Sequence, residues 1–275
     1  MVLSIDKIVM DFYGVADASI ANLNIAINTL AIRHKANIIR WTSSKPGTFK
    51  DQASITLSNG ESFWIGIGLN TRKPLWNRCR LDANPNKVGS DPVFKKVLQF
   101  LCSNTDVSQR KIARFDLAID LPTPREHCFL VKDRRLYIER QHGQEWTQYL
   151  GAKSSKIGRV KLYNKQIEAN LDTPLTRLEL TLDPAMPYED IPFPDVFFFD
   201  PQDLRSSGLK LTATDDFILN ALLQGCGSLH SLCRKTKEKM KTLLNTYVHR
   251  VEVDETYYTL ILDQLEAYRN GTMPS

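Results

Sequence analysis

Three stretches in the middle of the chain alternate polar and apolar residues at nearly every step. This period of two constrains the fold more than any other feature of the sequence. A β-strand sends successive side chains to opposite faces. In 111–121, Phe115, Leu117, Ile119 and Leu121 take one side, and Arg114, Asp116, Ala118 and Asp120 the other. In 159–165, Val160 and Leu162 lie opposite Arg159, Lys161, Tyr163 and Lys165. In Thr176–Leu182, Leu178, Leu180 and Leu182 lie opposite Arg177, Glu179 and Thr181. If the three strands share a sheet, one face is core and the other gathers acids, bases and a tyrosine. The plain structural reading is a solvated face of paired charges, common in antiparallel sheets.

The chain around them supplies helices and more strands. Residues 7–13 alternate as a strand, and Asp17 or Ser19 caps a helix with Ile20, Leu23, Ile27, Leu30 and Ala31 on one face. Residues 38–41 read as a strand. The runs 55–57 and 63–67 flank Asn59-Gly60, a hairpin signal because both residues tolerate positive φ. Asn84-Pro85-Asn86-Lys87 is a turn, and Asp91-Pro92 opens a helix through Leu101. A weaker hairpin falls near 136–146. This order predicts an α+β fold, a largely antiparallel sheet with helices packed on one face. Five prolines across 184–205 read as a linker or covering segment, and 214–223, 228–247 and 256–268 read as helices. The expected division is residues 1–204 as the α+β domain and 205–275 as a small helical C-terminal region.

Composition narrows the class. At 275 residues, 42% hydrophobic and 24% charged, the chain is that of a globular protein with a proper core. The start has no basic segment followed by a long apolar run, and no stretch approaches the ~20 apolar residues of a membrane span. Five cysteines, odd in number and irregularly spaced, argue against a disulfide framework, so the expected setting is the cytoplasm, away from membranes. Net charge is +5, and residues 1–100 alone hold 13 Lys/Arg against 7 Asp/Glu, which permits a nucleic-acid partner. The five histidines include no His-x-His pair. Cys226, His230, Cys233 and His249 do not match a common zinc spacing, and the cysteines read as residues of a helical core.

The polar face also has a functional reading. Oxygen ligands from two or three carboxylates suit Mg²⁺ or Mn²⁺. A tyrosine beside such a cation can act as a nucleophile, while Lys and Arg hold a phosphate. Asp116 and Asp120 sit four residues apart on one strand, roughly 13 Å at ~3.3 Å per residue, too far to share one ion on a regular strand.

Four pieces in order carry a resemblance: Arg114-Phe-Asp-Leu-Ala-Ile-Asp120, Tyr149-Leu-Gly-Ala-Lys-Ser154, Arg159-Val-Lys-Leu-Tyr-Asn-Lys165 and Thr176-Arg-Leu-Glu-Leu180. With the Asn84-Pro-Asn-Lys87 turn, they resemble the Rep_trans family of rolling-circle plasmid replication initiation factors and related relaxases of conjugative elements. The resemblance covers roughly residues 80–185. It implies an enzyme that nicks one DNA strand at an origin, keeps the 5′ end as a phosphotyrosine, frees a 3′-OH primer and later rejoins the strand. It implies an active site on the sheet face away from the helices. Carried over, Tyr163 is the nucleophile and Lys165 stabilises phosphate or phenolate charge. Asp116, Glu179 and Asp120 hold Mg²⁺ or Mn²⁺. Arg114, Arg177, Lys161, Arg159 and Lys153 contact DNA phosphates. Tyr149 and Tyr137 are competing tyrosines. The run from Arg234 to Lys241 is basic, and Arg234, Lys235, Lys237 and Lys241 are candidate DNA contacts within a loose helix-turn-helix pattern. Implied partners are origin DNA with a single-stranded or hairpin nick site, a host superfamily 1 helicase and a second copy of the chain. A conjugative relaxase, a non-catalytic DNA-binding regulator and a hydrolytic metal-dependent nuclease are the alternatives.

Overall fold

The computed structural model describes residues 1–73, 75–143, 145–155, 157–208 and 210–274. In chain order the first elements are β1 (Val2–Phe12), α1 (Asp17–His34), β2 (Asn37–Thr42), β3 (Phe49–Thr56), β4 (Ser62–Leu69) and β5 (Leu75–Ala83). Then come α2 (Pro85–Val88), α3 (Pro92–Ser103), β6 (Arg110–Leu121), β7 (Cys128–Leu130), β8 (Tyr137–His142), β9 (Glu145–Leu150) and β10 (Val160–Asn164). The chain continues with α4 (Lys165–Glu168), β11 (Thr176–Leu182), β12 (Val196–Phe199), α5 (Pro201–Ser207), α6 (Ala213–Leu223), α7 (Arg234–Thr242), β13 (Val248–Arg250) and α8 (Glu255–Arg269). The architecture is α+β, with long antiparallel strands and helices, as the alternating pattern predicts.

The chain forms two compact units. One comprises Ser4–Leu117, Leu182–Tyr188 and the chain from Glu255 onward; the other comprises Met1–Leu3, Ala118–Thr181 and Glu189–Asp254. This departs from the expected boundary at residue 204. The proline-punctuated segment is not a free linker: β12 pairs with β7 on one side and β13 on the other, and Val196 and Phe199 are buried. Residues 201–254 therefore pack with the second half of the sheet strands, while α8 belongs with the first unit.

In the first unit the strand order β2-β3-β4-β5-β1 is antiparallel throughout. Leu57-to-Glu61 closes the β3–β4 hairpin, with Gly60 at φ 85°, a conformation that favours glycine. The inward row Ile8, Met10, Phe12, Phe63, Ile65, Cys79 and Leu81 meets the buried stripes of α1 (Leu23, Ile27, Ala31) and α3 (Phe94, Val97, Leu98, Leu101). Phe63 meets Phe94 edge-on at 5.4 Å, and Tyr258 of α8 lies 6.5 Å from Phe115. Asp91 caps α3 by accepting from the Val93 amide, with Pro92 at the first turn.

In the second unit β11, β10, β9 and β8 follow one another antiparallel. Leu150, Val160, Leu162, Leu178 and Leu180 are buried. A separate core of Phe129, Phe199, Leu219, Met240 and Leu243 holds β7 and β12 against α6 and α7. The expected helix over 228–247 is instead a 3-10 turn at Leu229–Ser231, then α7, then a π-helical turn at Leu243–Tyr247. Ser228 caps the first turn and releases the chain before α7 begins. Cys226 and Cys233 are exposed rather than core residues, and His249 pairs with Asp203 at 2.7 Å.

Candidate active site on the sheet of the second unit

The register of β10 and β11 brings the predicted polar face together. Tyr163 lies opposite Arg177, and Lys161 lies opposite Glu179. On the other side, Tyr163 lies opposite Thr147 and Lys161 opposite Tyr149. The Tyr163 hydroxyl donates to Glu179 Oε1 at 2.6 Å. Lys161 Nζ stands 3.5 Å from the Tyr163 ring centroid and 3.7 Å from Glu179 Oε2. An ammonium over an aromatic face is held by the ring quadrupole. One lysine thus covers both the tyrosine and the carboxylate that accepts its hydrogen bond.

Tyr163 is only 4% exposed. Burial pushes its hydroxyl well above the ordinary tyrosine value, and the Glu179 charge and hydrogen bond push it further; Arg177 opposes them. In this arrangement the phenol is protonated, and its proton already points at a base.

Asp120, at the end of β6, is engaged elsewhere. Arg177 Nε and Nη2 donate to its two carboxylate oxygens at 2.6 and 2.7 Å. This bidentate fork is the strong form of an Arg–carboxylate contact. Asp120 is therefore placed as the partner of Arg177. Asp116 falls in the first unit, half-buried on the stretch of β6 before Leu117. Among the described residues, no three His, Cys, Asp or Glu side chains group so as to hold a metal ion. Glu179 supplies the carboxylate that accepts from Tyr163, and the charge of Glu168 also acts on the tyrosine. A single carboxylate still fits Mg²⁺, which often binds through one or two carboxylates and takes its other ligands from water and substrate phosphate.

Lys165 departs from its expected place. The strand ends at Asn164, whose side-chain oxygen accepts from the Ile167 amide at 3.1 Å and starts α4. Lys165 is the first residue of that helical turn. Its Nζ pairs closely with Glu168 and lies 5.9 Å from the Tyr163 ring centroid. Lys161 is nearer, and the strand register is the signal that distinguishes the two. Arg159 lies 5.1 Å over Tyr149, and Lys153 is exposed in the turn after Gly151. Arg114 is half-buried on the first unit's part of β6. On α7, Arg234 and Lys235 are exposed, Lys237 is half-buried, and Lys241 pairs loosely with Glu238 at 3.5 Å. The competing tyrosines have other engagements: Tyr149 sits beneath Arg159, and Tyr137 donates to Glu139 at 2.9 Å.

The opposite face of the same strands holds residues the sequence reading passed over. Arg125 is fully buried, lies 4.0 Å over the Trp146 ring and donates to Gln148 and to the Cys128 carbonyl. Arg125 and Trp146, with Asn164 and Gln166, line a cleft of about 530 Å³. Its signal in the sequence is faint, because a lone arginine between proline and glutamate reads as surface.

No family model matches the sequence, and neither does any curated protein. Among solved structures, the chain is similar to that of the rolling circle replication initiator protein from Geobacillus stearothermophilus, at 13% identity and a TM-score of 0.41 over 99% of each chain. Among the described residues, no helix is long and apolar enough to cross a membrane.

Proposed function

We propose that this chain is a DNA strand-nicking and -joining enzyme that initiates rolling-circle replication, with Tyr163 as its nucleophile. The observation that carries the reading is the Tyr163–Glu179–Lys161 cluster: a tyrosine whose proton is already hydrogen-bonded to a carboxylate, under a cation, on a sheet face. The Rep_trans-like residues of the four sequence blocks support the same reading.

In the proposed reaction Tyr163 Oη attacks the scissile phosphorus as its proton passes to Glu179. The new bond joins Oη to phosphorus, and the bond from phosphorus to the 3′ oxygen breaks. The leaving 3′ oxygen takes a proton and becomes the 3′-OH primer, while the 5′ end stays on the tyrosine. Rejoining runs the same step in reverse. General base help of this kind is worth about 10²–10⁴-fold. Lys161 offsets the charge that develops on the phenolate and phosphate. Mg²⁺ or Mn²⁺, when bound, would add positive charge at the phosphate, with Glu179 the carboxylate best placed to hold it. Arg159 and Lys153 are proposed phosphate contacts, and α7 a duplex contact. Origin DNA, a superfamily 1 helicase and a second copy are the proposed partners.

A conjugative relaxase would use the same chemistry at a transfer origin. A non-catalytic regulator draws on one observation, the near-complete burial of Tyr163. Nicking of a supercoiled plasmid bearing the cognate origin separates the readings. Wild type with Mn²⁺ is expected to yield open circles, and Tyr163→Phe to yield none. Nicking by Tyr163→Phe at the wild-type rate would point to hydrolysis without a covalent intermediate. Origin binding without nicking would point to the regulator.

A further inference from the structure

The open face of β3, β4, β5 and β1 in the first unit has a composition that a merely solvated sheet does not need. Trp64, Gly66, Arg80 and Asp11 share this face, because Gly66 pairs with Arg80 and Arg80 with Asp11 across the strands. Three rings lie against it. At Gly66 a Cβ would stand 2.4 Å from the Trp64 ring and 2.6 Å from the Phe49 ring. At Gly68 a Cβ would stand 3.3 Å from the Trp76 ring and 3.6 Å from the Lys50 Cβ. The glycines let the rings rest against the backbone.

Cations are interleaved with these rings. Lys50 Nζ lies 5.3 Å from the Trp76 ring centroid. The Arg78 guanidinium lies 4.9 Å from Tyr13, and that of Arg80 lies 5.5 Å from Phe49. Asp11, 2% exposed, ties both guanidiniums in place at 2.6–2.8 Å. Asp82, opposite Trp64 on the same face, pairs with Lys7 at 3.0 Å, so Asp11 and Asp82 stand against Lys7, Lys50, Arg78 and Arg80 and leave the patch positive. Trp76 is half exposed and Lys50 is exposed, so the outer end of the patch is accessible.

We infer that this face is a binding platform for single-stranded nucleic acid, built from other residues than the Tyr163 cluster. Bases stack on aromatic side chains irrespective of sequence, and Lys and Arg beside them meet the phosphates. A duplex offers phosphates but hides its base faces, so an exposed tryptophan beside a lysine favours the unpaired strand. The choice of DNA over RNA rests on the nickase reading; the binding itself does not.

Binding of fluorescent dT20, of the matching RNA and of a blunt hairpin duplex by the full chain tests the inference. All proteins carry Tyr163→Phe, so that cleavage does not intrude and a failed nickase reading leaves the measurement intact. Trp76→Ala is expected to weaken dT20 binding about tenfold and Trp76→Phe to restore most of it. Lys50→Ala is expected to lower the slope of log K against log salt by about 0.7. Duplex binding should change little in all three variants. Circular dichroism and thermal melting identify any variant that has failed to fold. For folded variants, wild-type dT20 affinity in Trp76→Ala would overturn the inference. So would equal losses on strand and duplex, or a change of oligomeric state with no change in strand binding. Tighter binding of RNA than of dT20 would keep the platform and remove its assignment to DNA.

Discussion

The polar sheet faces of the two units are built from similar residue types and differ in what those residues are free to do. In the second unit, Tyr163 is closed in by Lys161 and Glu179, and Arg177 is locked to Asp120. In the first unit, Asp11 sits beneath Arg78 and Arg80 and holds them, but Trp76 and Lys50 remain in solvent. A buried ionisable cluster serves proton transfer, because desolvation makes each charge felt by its neighbours. An exposed aromatic–cation row serves contact with a long flexible ligand. The difference teaches that charged residues on a sheet face have to be sorted by burial and partners before a role is assigned.

The largest effect that sharpens this contrast is at Glu179. Glu179→Gln is expected to cut the single-turnover nicking rate by about 10²-fold or more, with dT20 affinity unchanged. Equal loss of both would mean that the two faces do not act separately. Arg177→Ala comes next. It strands the Asp120 carboxylate, half-buried, and is expected to cost about 3 kcal/mol in urea unfolding. A cost below about 0.5 kcal/mol would mean that solvent already screens the pair. On the other face, Gly66→Ala drives a methyl into the Trp64 and Phe49 rings and is expected to cost about 1–3 kcal/mol, whereas no atom lies near the would-be Cβ of Gly60.

The smallest effect concerns pH and sets the units apart again. In the second unit, burial and then the charges of Glu126 and Asp215 raise Asp216 to about 7, with His127 3.7 Å away. A carboxyl raised in the fold contributes stability below its unfolded value near 4 and loses it as pH climbs through 7. His127, lowered by burial, slopes the other way. Asp216→Asn should therefore gain stability relative to wild type as pH rises from 4 to 8, read from melting temperatures. A constant difference would contradict the shift. In the first unit, burial would raise Asp11, but Arg80 and Arg78 outweigh it and hold the carboxyl below the ordinary range. Its contribution is present above about pH 4 and is lost on acidification.

Much of the second unit's face was legible because alternation is a local property: a period of two specifies which side chains share a side before any partner is known. The Asn59-Gly60 hairpin was legible for the same reason, since positive φ belongs to the residue itself. What escaped depends on partners far along the chain. The Asp120–Arg177 fork joins residues 57 apart, so Asp120 read as a ligand. Lys165 read as a strand residue because the Asn164 cap that turns the chain away uses a side chain equally at home in a strand. β5 was missed: its inward residues Cys79, Leu81 and Ala83 are small or isolated, and its outward Arg78, Arg80 and Asp82 look like a loop. With β5 went the aromatic–arginine face. The pairing of β12 was hidden by prolines that lie outside the strand itself.

The central claim is that Tyr163 becomes covalently joined to DNA. The direct test incubates the protein with 3′-labelled origin oligonucleotides and Mn²⁺, with and without EDTA, and resolves the products on a denaturing gel. Peptide mass spectrometry then locates the modified residue. A metal-dependent labelled adduct on the peptide containing Tyr163 is the predicted result. Cleavage with no adduct, or an adduct on Tyr149 or Tyr137, would contradict it.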